Sequence, residues 1–214
     1  MNGFAGFAIF VVVLVQTACA QSTDFASTDF SKADSIANLH VAHPLTHIRS
    51  LAINLTQPLA TEQEKFRAIF IWVCNNLEVD YELVLINRRK TSSLSGKKLD
   101  AWRKIFNEIA FEKLLKEQKT LCSGYAYVVR ELAFHAGLHC EIINGYAKPG
   151  GLKMGSSYLN HSWNRIKINA KWYYCDATWA SGVFNRSTGT FTKKYRYEYF
   201  LADPDFFSRE HRIL

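Results

Sequence analysis

Apolar and polar residues follow two different periods along this chain. Phe66, Ile69, Phe70, Val73 and Leu77 recur at i, i+3, i+4, i+7 and i+11, which is one buried stripe of an α-helix. Just before them, Thr61-Glu62-Gln63-Glu64 reads as a capping box, in which the Thr61 hydroxyl and the Glu64 carboxylate satisfy orphan amides reciprocally. A second helix is predicted over about Leu99–Lys116, with Trp102, Ile105, Phe106, Ile109 and Leu114 apolar. The polar stretch Thr91–Lys98 reads as the loop between the two. Cys122-Ser123-Gly124 opens a third helix, with Ala126, Val129, Leu132, Ala133 and Ala136 on its buried side and Gly137 as its stop. The period then changes to two. Cys140–Tyr146, His161–Ile168 and Trp172–Thr178 read as strands. Asn169-Ala170 fits a two-residue hairpin turn, because Asn tolerates a left-handed backbone. Pro149-Gly150-Gly151 to Gly155 reads as a flexible loop, and the aromatic tail Tyr197–Leu214 adds no second domain.

The N-terminus breaks both patterns. Phe4–Val15 is an uncharged run of apolar residues and glycine, shorter than the ~20 residues that span a bilayer. Ala18-Cys19-Ala20 follows with the small-x-small pattern of a cleavage site. Residues 1–20 are therefore expected to be a signal peptide, placing the protein outside the cell or in the periplasm or cell envelope. Lipid anchoring at Cys19 is disfavoured by Gln16, where an aliphatic residue usually sits. Residues 21–50 are expected to form a loose leader, since 21–35 are mostly Ser, Thr, Asp and Ala, and residues 51–214 a single domain. His40, His43 and His47 cluster here. Pro44 interrupts any helix and no carboxylate or cysteine joins them, so no metal site is expected.

Composition adds bounds. The 214 residues are 48% hydrophobic and 14% aromatic, enough for a sizeable core and too much for wholesale disorder. The formal net charge of +7 serves solubility, or attracts an anionic cell-surface polymer. No basic run combines with a nucleic-acid motif, so no nucleic-acid partner is expected. After cleavage Cys74, Cys122, Cys140 and Cys175 remain, too sparse for a disulfide framework, and any pairing among Cys74, Cys140 and Cys175 stays open. The Asn54, Asn160 and Asn185 sequons permit glycosylation; the middle one abuts His161 and reads as a chance match.

Three residues carry a recognisable chemistry. Cys122 sits at a predicted helix N-terminus, where unpaired amides and the macrodipole favour a thiolate. Its own N–H is placed to donate to an oxyanion. If Asn169-Ala170 is the hairpin turn, Ile168 pairs with Lys171, and continuing the register pairs Trp163 with Asp176 and His161 with Thr178. His161 and Asp176 then lie diagonally on one face, at a backbone separation of about 7–8 Å that their side chains can bridge. A one-residue slip would put them on opposite faces.

Thr120-Leu121-Cys122-Ser123-Gly124-Tyr125-Ala126 resembles the nucleophile motif of the transglutaminase-like superfamily. His161-Ser162-Trp163-Asn164 resembles its histidine motif, and Trp172–Trp179 its aspartate motif. Gly145-Tyr146-Ala147 fits the strand between nucleophile and histidine. Ala68–Trp72, ending near Asp80-Tyr81, resembles the upstream helix of the kyphoscoliosis-peptidase-like branch. Tyr199-Phe200-Leu201, Asp203-Pro204 and His211 resemble that branch's tail. The resemblance implies an α+β, papain-like core with the nucleophile at the start of a helix packed on an antiparallel sheet. It implies a triad of Cys122 as nucleophile, His161 as base and later acid, and Asp176 as orienting group. It also implies a protein or peptide substrate, with no metal or other cofactor. Trp163 and Trp179 are candidate cleft walls, with core packing as the competing role, and Tyr125 is a third candidate substrate contact. A second oxyanion donor is not assigned: Gln118 does not match the papain spacing, and Trp72 and Trp102 are the alternatives. The implied reaction forms a thioester from an amide, resolved by water in a peptidase or amidase and by an amine in a transglutaminase. The rival reading is an inactive module that binds peptides or cell-surface components.

Overall fold

The computed structural model describes residues 24–148, 159–185 and 188–214. Its first helices are α1 (Ser31–Leu39), α2 (Ile48–Thr56) and α3 (Glu62–Asn76). The capping box forms as expected: the Glu64 amide donates to Thr61 Oγ1, and the Thr61 amide donates to Glu64 Oε2 at 3.1 Å. The expected stripe Phe66, Ile69, Phe70, Val73 and Leu77 is buried, but so are Ala68, Ile71, Trp72 and Cys74. α3 is enclosed because α1 and α2 cover one side of it and later helices the other.

The reading of residues 21–50 as a loose leader needs correction. From Asp24 onward this segment is packed: Ala33, Ile36 and Ala37 of α1 are buried. Both Asp34 carboxylate oxygens accept from Arg67 of α3, at 2.6 and 2.9 Å. Tyr173 donates its hydroxyl to Asp24 at 2.7 Å. The segment reads as polar because its polar side chains find partners in the domain while Phe25, Phe30 and Ile36 supply the apolar anchors. The expected signal peptide at 1–20, with Cys19, and the loop Pro149–Gly155 lie outside the described residues. No described helix is long and apolar enough to cross a membrane.

After α3 come β1 (Glu78–Val79), α4 (Tyr81–Ser93), α5 (Gly96–Glu117), β2 (Lys119–Thr120) and α6 (Cys122–His135). The expected loop Thr91–Lys98 shrinks to Leu94-Ser95, since α4 runs to Ser93 and α5 begins at Gly96. The apolar stripe expected on the second helix is only partly used. Phe106 and Leu114 are buried, whereas Ile105 and Ile109 are 52% and 44% exposed. The two helices form an arm whose ends are joined by parallel pairing of β1 with β2, Val79 opposite Thr120. A Lys113–Asp80 ion pair holds the same junction. The helix carrying Cys122 therefore starts from a clamped point.

The chain continues through β3 (Cys140–Ala147), β4 (Leu159–Ile168), β5 (Lys171–Cys175), α7 (Ala177–Ser181), β6 (Gly182–Asn185), β7 (Thr190–Lys193), α8 (Pro204–Glu210) and β8 (His211–Ile213). β5, β4, β3 and β8 form one antiparallel sheet in that order. α6 packs on β3 and β4, giving the α+β arrangement of a helix on an antiparallel sheet. Asn169 (φ 48°) and Ala170 (φ 67°) are both left-handed, and Ile168 pairs with Lys171, the register expected. The expected strand Trp172–Thr178 is shorter: it ends at Cys175, and Ala177 and Thr178 are helical because Asp176 caps α7. The β6–β7 hairpin brings the Lys193 ammonium to the carbonyls of Cys74, Asn75 and Leu77, at 3.1, 2.6 and 2.6 Å. A cation is stabilised there by the unpaired carbonyls at the end of α3.

β8 is signalled by no period in the sequence. It joins the free edge of β3, with Gly145 opposite Ile213 and Ala147 opposite His211. The approach at Gly145 is close. A Cβ there would stand 2.2 Å from the Arg212 carbonyl oxygen and 2.5 Å from Trp163 Cη2. Gly145→Ala is expected to destabilise the fold by about 1–3 kcal/mol through overpacking, seen as a lower denaturant midpoint; an unchanged midpoint would contradict this packing.

Candidate active site

α6 begins at Cys122, after an extended Leu121. The first amides of a helix have no acceptor within it, so those of Cys122 and Ser123 face outward from the helix start. Gly124 lets α6 sit directly on the clamped β2: a Cβ on it would lie 1.9 Å from Thr120 Oγ1. Asn164 of β4 donates to the Ala126 carbonyl at 2.9 Å, tying α6 to the strand that bears His161. Cys122 is half-buried, and the His161 imidazole and the Ser162 amide lie beside its thiol.

His161 Nε2 is 2.6 Å from Asp176 Oδ2. The β4–β5 ladder stops at Asn164 opposite Cys175, so the expected pairs Trp163–Asp176 and His161–Thr178 are not ladder pairs. The two side chains nonetheless meet on one face. Asp176 has no exposed surface. Its Oδ1 accepts from the Trp179 amide at 3.1 Å, and its Oδ2 accepts a second time, from His211 Nε2 at 3.0 Å.

The electrostatics follow from these contacts. Burial pushes the Asp176 carboxyl upward, but the charge and hydrogen bond of His161, with the hydrogen bond from His211, hold it well below the usual carboxylate range. Burial pushes His161 down, but Asp176 and then Cys122 outweigh it and raise the imidazole to about 10. Burial pushes the Cys122 thiol up, yet the His161 hydrogen bond and charge and the Ser162 amide bring it below its ordinary value. Cys74 and Cys175 are buried without such partners and are pushed far up, and burial raises Cys140 to about 12. The four described thiols are free. Among the described cysteines, Cys122 is the one whose ionisation is favoured. The arrangement is suited to a thiolate–imidazolium pair, the form in which a cysteine attacks carbonyl carbon.

The structure brings Cys122, His161 and Asp176 together and disperses most of the other candidates. Trp163 is 1% exposed and packs against Phe207 and His211, so it is core rather than cleft wall. Tyr125 is equally buried, its hydroxyl donating to the Leu77 carbonyl at 2.8 Å; it braces α6 against the end of α3 and is not placed to touch substrate. Trp179 alone keeps partial exposure, its ring 5.1 Å from that of His161. The three candidates for a second oxyanion donor are engaged elsewhere. Trp72 donates to the His40 carbonyl, Trp102 to Asn87 Oδ1 and Gln118 to the His43 carbonyl.

Sequence reasoning gave His211 no place beside Asp176, because nothing in the periods signals that the tail returns to β3. His161, Asp176 and His211 also form the group among the described residues that could hold a metal ion, with ligand atoms within 4.8 Å of one another. The two imidazole contacts to one carboxylate oxygen are already explained by proton sharing.

Residues 49–177 match the family model of the transglutaminase-like superfamily. The kyphoscoliosis peptidase of Mus musculus is 31% identical over 167 residues, covering 77% of this chain and 23% of that protein. The Homo sapiens kyphoscoliosis peptidase is 30% identical over 185 residues, covering 85% and 25%. The chain thus spans about a quarter of the length of these relatives. A crystal structure of a TGase superposes with a TM-score of 0.46 at 16% identity, covering 83% of this chain and 38% of that one.

Two outcomes follow from the site. Alkylation of Cys122 by iodoacetamide should rise with pH through a value below the ordinary thiol pKa of about 8.5, and His161→Ala should return it there. Wild-type and variant curves that coincide would refute the ion pair. Asp176→Ala strips the His161 ring, the His211 ring and the Trp179 amide of their acceptor and should cost about 3–5 kcal/mol in denaturant unfolding. The sign with pH follows from the depressed folded pKa of Asp176. Its contribution is present above the unfolded carboxylate value of about 3.9 and is lost as pH falls through the lower folded value.

Proposed function

The chain belongs to the transglutaminase-like superfamily, and we propose that it is a thiol enzyme that cleaves or transfers the acyl group of amide bonds in proteins or peptides. The observation that carries this reading is the chain of contacts from Cys122 to His161 to Asp176, with Cys122 the described cysteine whose ionisation is favoured. The Cys122 sulfur attacks the amide carbonyl carbon, and the carbonyl π electrons move to oxygen. The Cys122 amide at the start of α6 donates to that oxyanion. On collapse the C–N bond breaks, and the leaving nitrogen takes a proton from the His161 imidazolium, leaving a thioester on Cys122. An acceptor then gives its proton to His161 as it adds to the thioester. The second collapse breaks the C–S bond, and Cys122 leaves as thiolate beside the re-formed imidazolium. Asp176 keeps its charge throughout, holding the ring in one orientation and offsetting its positive charge.

Water as acceptor makes a peptidase or amidase; an amine makes a transglutaminase. The peptidase names of the Mus musculus and Homo sapiens relatives favour water. Export rests on the composition of residues 1–20, and an anionic surface partner on the net charge of +7.

The deciding measurement is mass spectrometry of the acid-quenched protein after incubation with a peptide library, with and without a primary amine. An acyl adduct on Cys122, absent in Cys122→Ala, is expected; a free carboxylate product in water, or an amide with the amine, names the acceptor. Peptides that bind unchanged, with no adduct and no product, would instead support a binding module.

A further inference from the structure

We propose that His211 is a positioning residue of this site, anchoring the oxygen of Asp176 that orients His161. The inference rests on the thiol-enzyme reading above. His211 Nε2 lies 3.0 Å from Asp176 Oδ2, the same oxygen that His161 reaches at 2.6 Å. A carboxylate held ionised is an acceptor only, so His211 Nε2 carries the proton and donates.

The two histidines differ in what they are free to do. In the proposed reaction His161 gives up and regains a proton and changes hydrogen-bond partner, so its bond to Asp176 cannot by itself fix the carboxylate. His211 takes no part in those transfers, and its ring is immobilised. It stacks on Phe207 with ring centroids 3.8 Å apart and planes 10° from parallel. Trp163 and Trp179 close the other sides, at 5.0 and 4.6 Å. Its backbone is held in β8 opposite Ala147. The titratable groups around it are Asp176 and His161 on one side and the Tyr199–Glu210 pair on another, where the tyrosine hydroxyl donates to Glu210 Oε2 at 2.6 Å. With Oδ1 held by the Trp179 amide and Oδ2 by His211, the carboxylate plane stays in place while His161 changes state. Packing alone would not select histidine here: a phenylalanine would stack on Phe207 without burying polar nitrogens.

That contrast supplies the test. The rate of iodoacetamide alkylation at Cys122 is followed against pH for wild type, His211→Phe, His211→Gln and His161→Ala, with adducts located by peptide mapping. Phenylalanine keeps the stacking and loses the donor; glutamine loses the stacking but offers an amide N–H near the Nε2 position. His211→Phe should react about tenfold slower at pH 6, its profile displaced toward the ordinary thiol, and His211→Gln should recover most of the difference. A His211→Phe profile superimposed on wild type, or a glutamine variant slower than the phenylalanine one, would overturn the proposal. If His161→Ala also leaves the profile unchanged, the Cys–His reading fails and the proposal with it; if only His161→Ala moves it, the role of His211 alone is refuted. A wild-type profile abolished by EDTA would assign the three side chains to a metal and overturn the proposal. Should both His211 variants fail to fold, nitrogen-15 histidine spectra of the wild-type protein decide: a slowly exchanging His211 Nε2–H is expected, and its absence overturns the assignment.

Discussion

A carboxylate held wholly out of water sets the terms for this structure. An ionised group in such a place is costly unless both of its oxygens are met by donors. Asp176 meets that demand with three donors from three parts of the chain: the His161 ring of β4, the Trp179 amide of α7 and the His211 ring of β8. Satisfying one buried charge therefore requires the β4–β5 hairpin, the turn into α7 and the returning tail strand to be in place together. The same demand raises the His161 imidazole and, through it, favours the thiolate of Cys122.

The scaffold removes freedom from the groups that need to be still. The start of α6 is fixed from below by the β1–β2 clamp and by contact of Gly124 with Thr120. It is fixed from the side by Asn164 and from behind by Tyr125. α3 is the common wall, enclosed by the N-terminal helices and closed at its end by Lys193. The arm of α4 and α5 has most of its surface exposed and joins the domain at its clamped base, with Phe111 against Tyr127 of α6. Tyr125 and Trp163 stand in the segments that carry Cys122 and His161 and hold them still. Both are buried struts rather than surfaces offered to a substrate.

Much of this was legible in the residues. The capping box, the apolar series on α3, the helix beginning at Cys122 and the hairpin turn at Asn169-Ala170 are local features. Each is decided by backbone geometry or by spacing within one element. Hairpin register follows from turn length and directs His161 and Asp176 to one face, although the ladder itself stops at Asn164 opposite Cys175. The failures lie where a residue's environment comes from elsewhere in the chain. Residues 24–50 looked loose because their polar side chains pair with Arg67, Lys171 and Tyr173, far away in sequence. Ile105 and Ile109 looked buried because periodicity records which face is apolar, not whether anything covers it.

Neighbouring residues are enough to place Cys122 at a helix start and to bring His161 and Asp176 to one face of a hairpin, since each feature is set within a few residues or one turn. That a second imidazole from β8 shares the Asp176 carboxylate, and that Trp72, Trp102 and Gln118 are engaged elsewhere, follows from packing between distant segments. The physical reason is the range of the interaction. Caps, turns and registers are written in neighbouring residues, whereas β8 reaches β3 across more than sixty residues of chain, guided by burial and shape that no local period encodes.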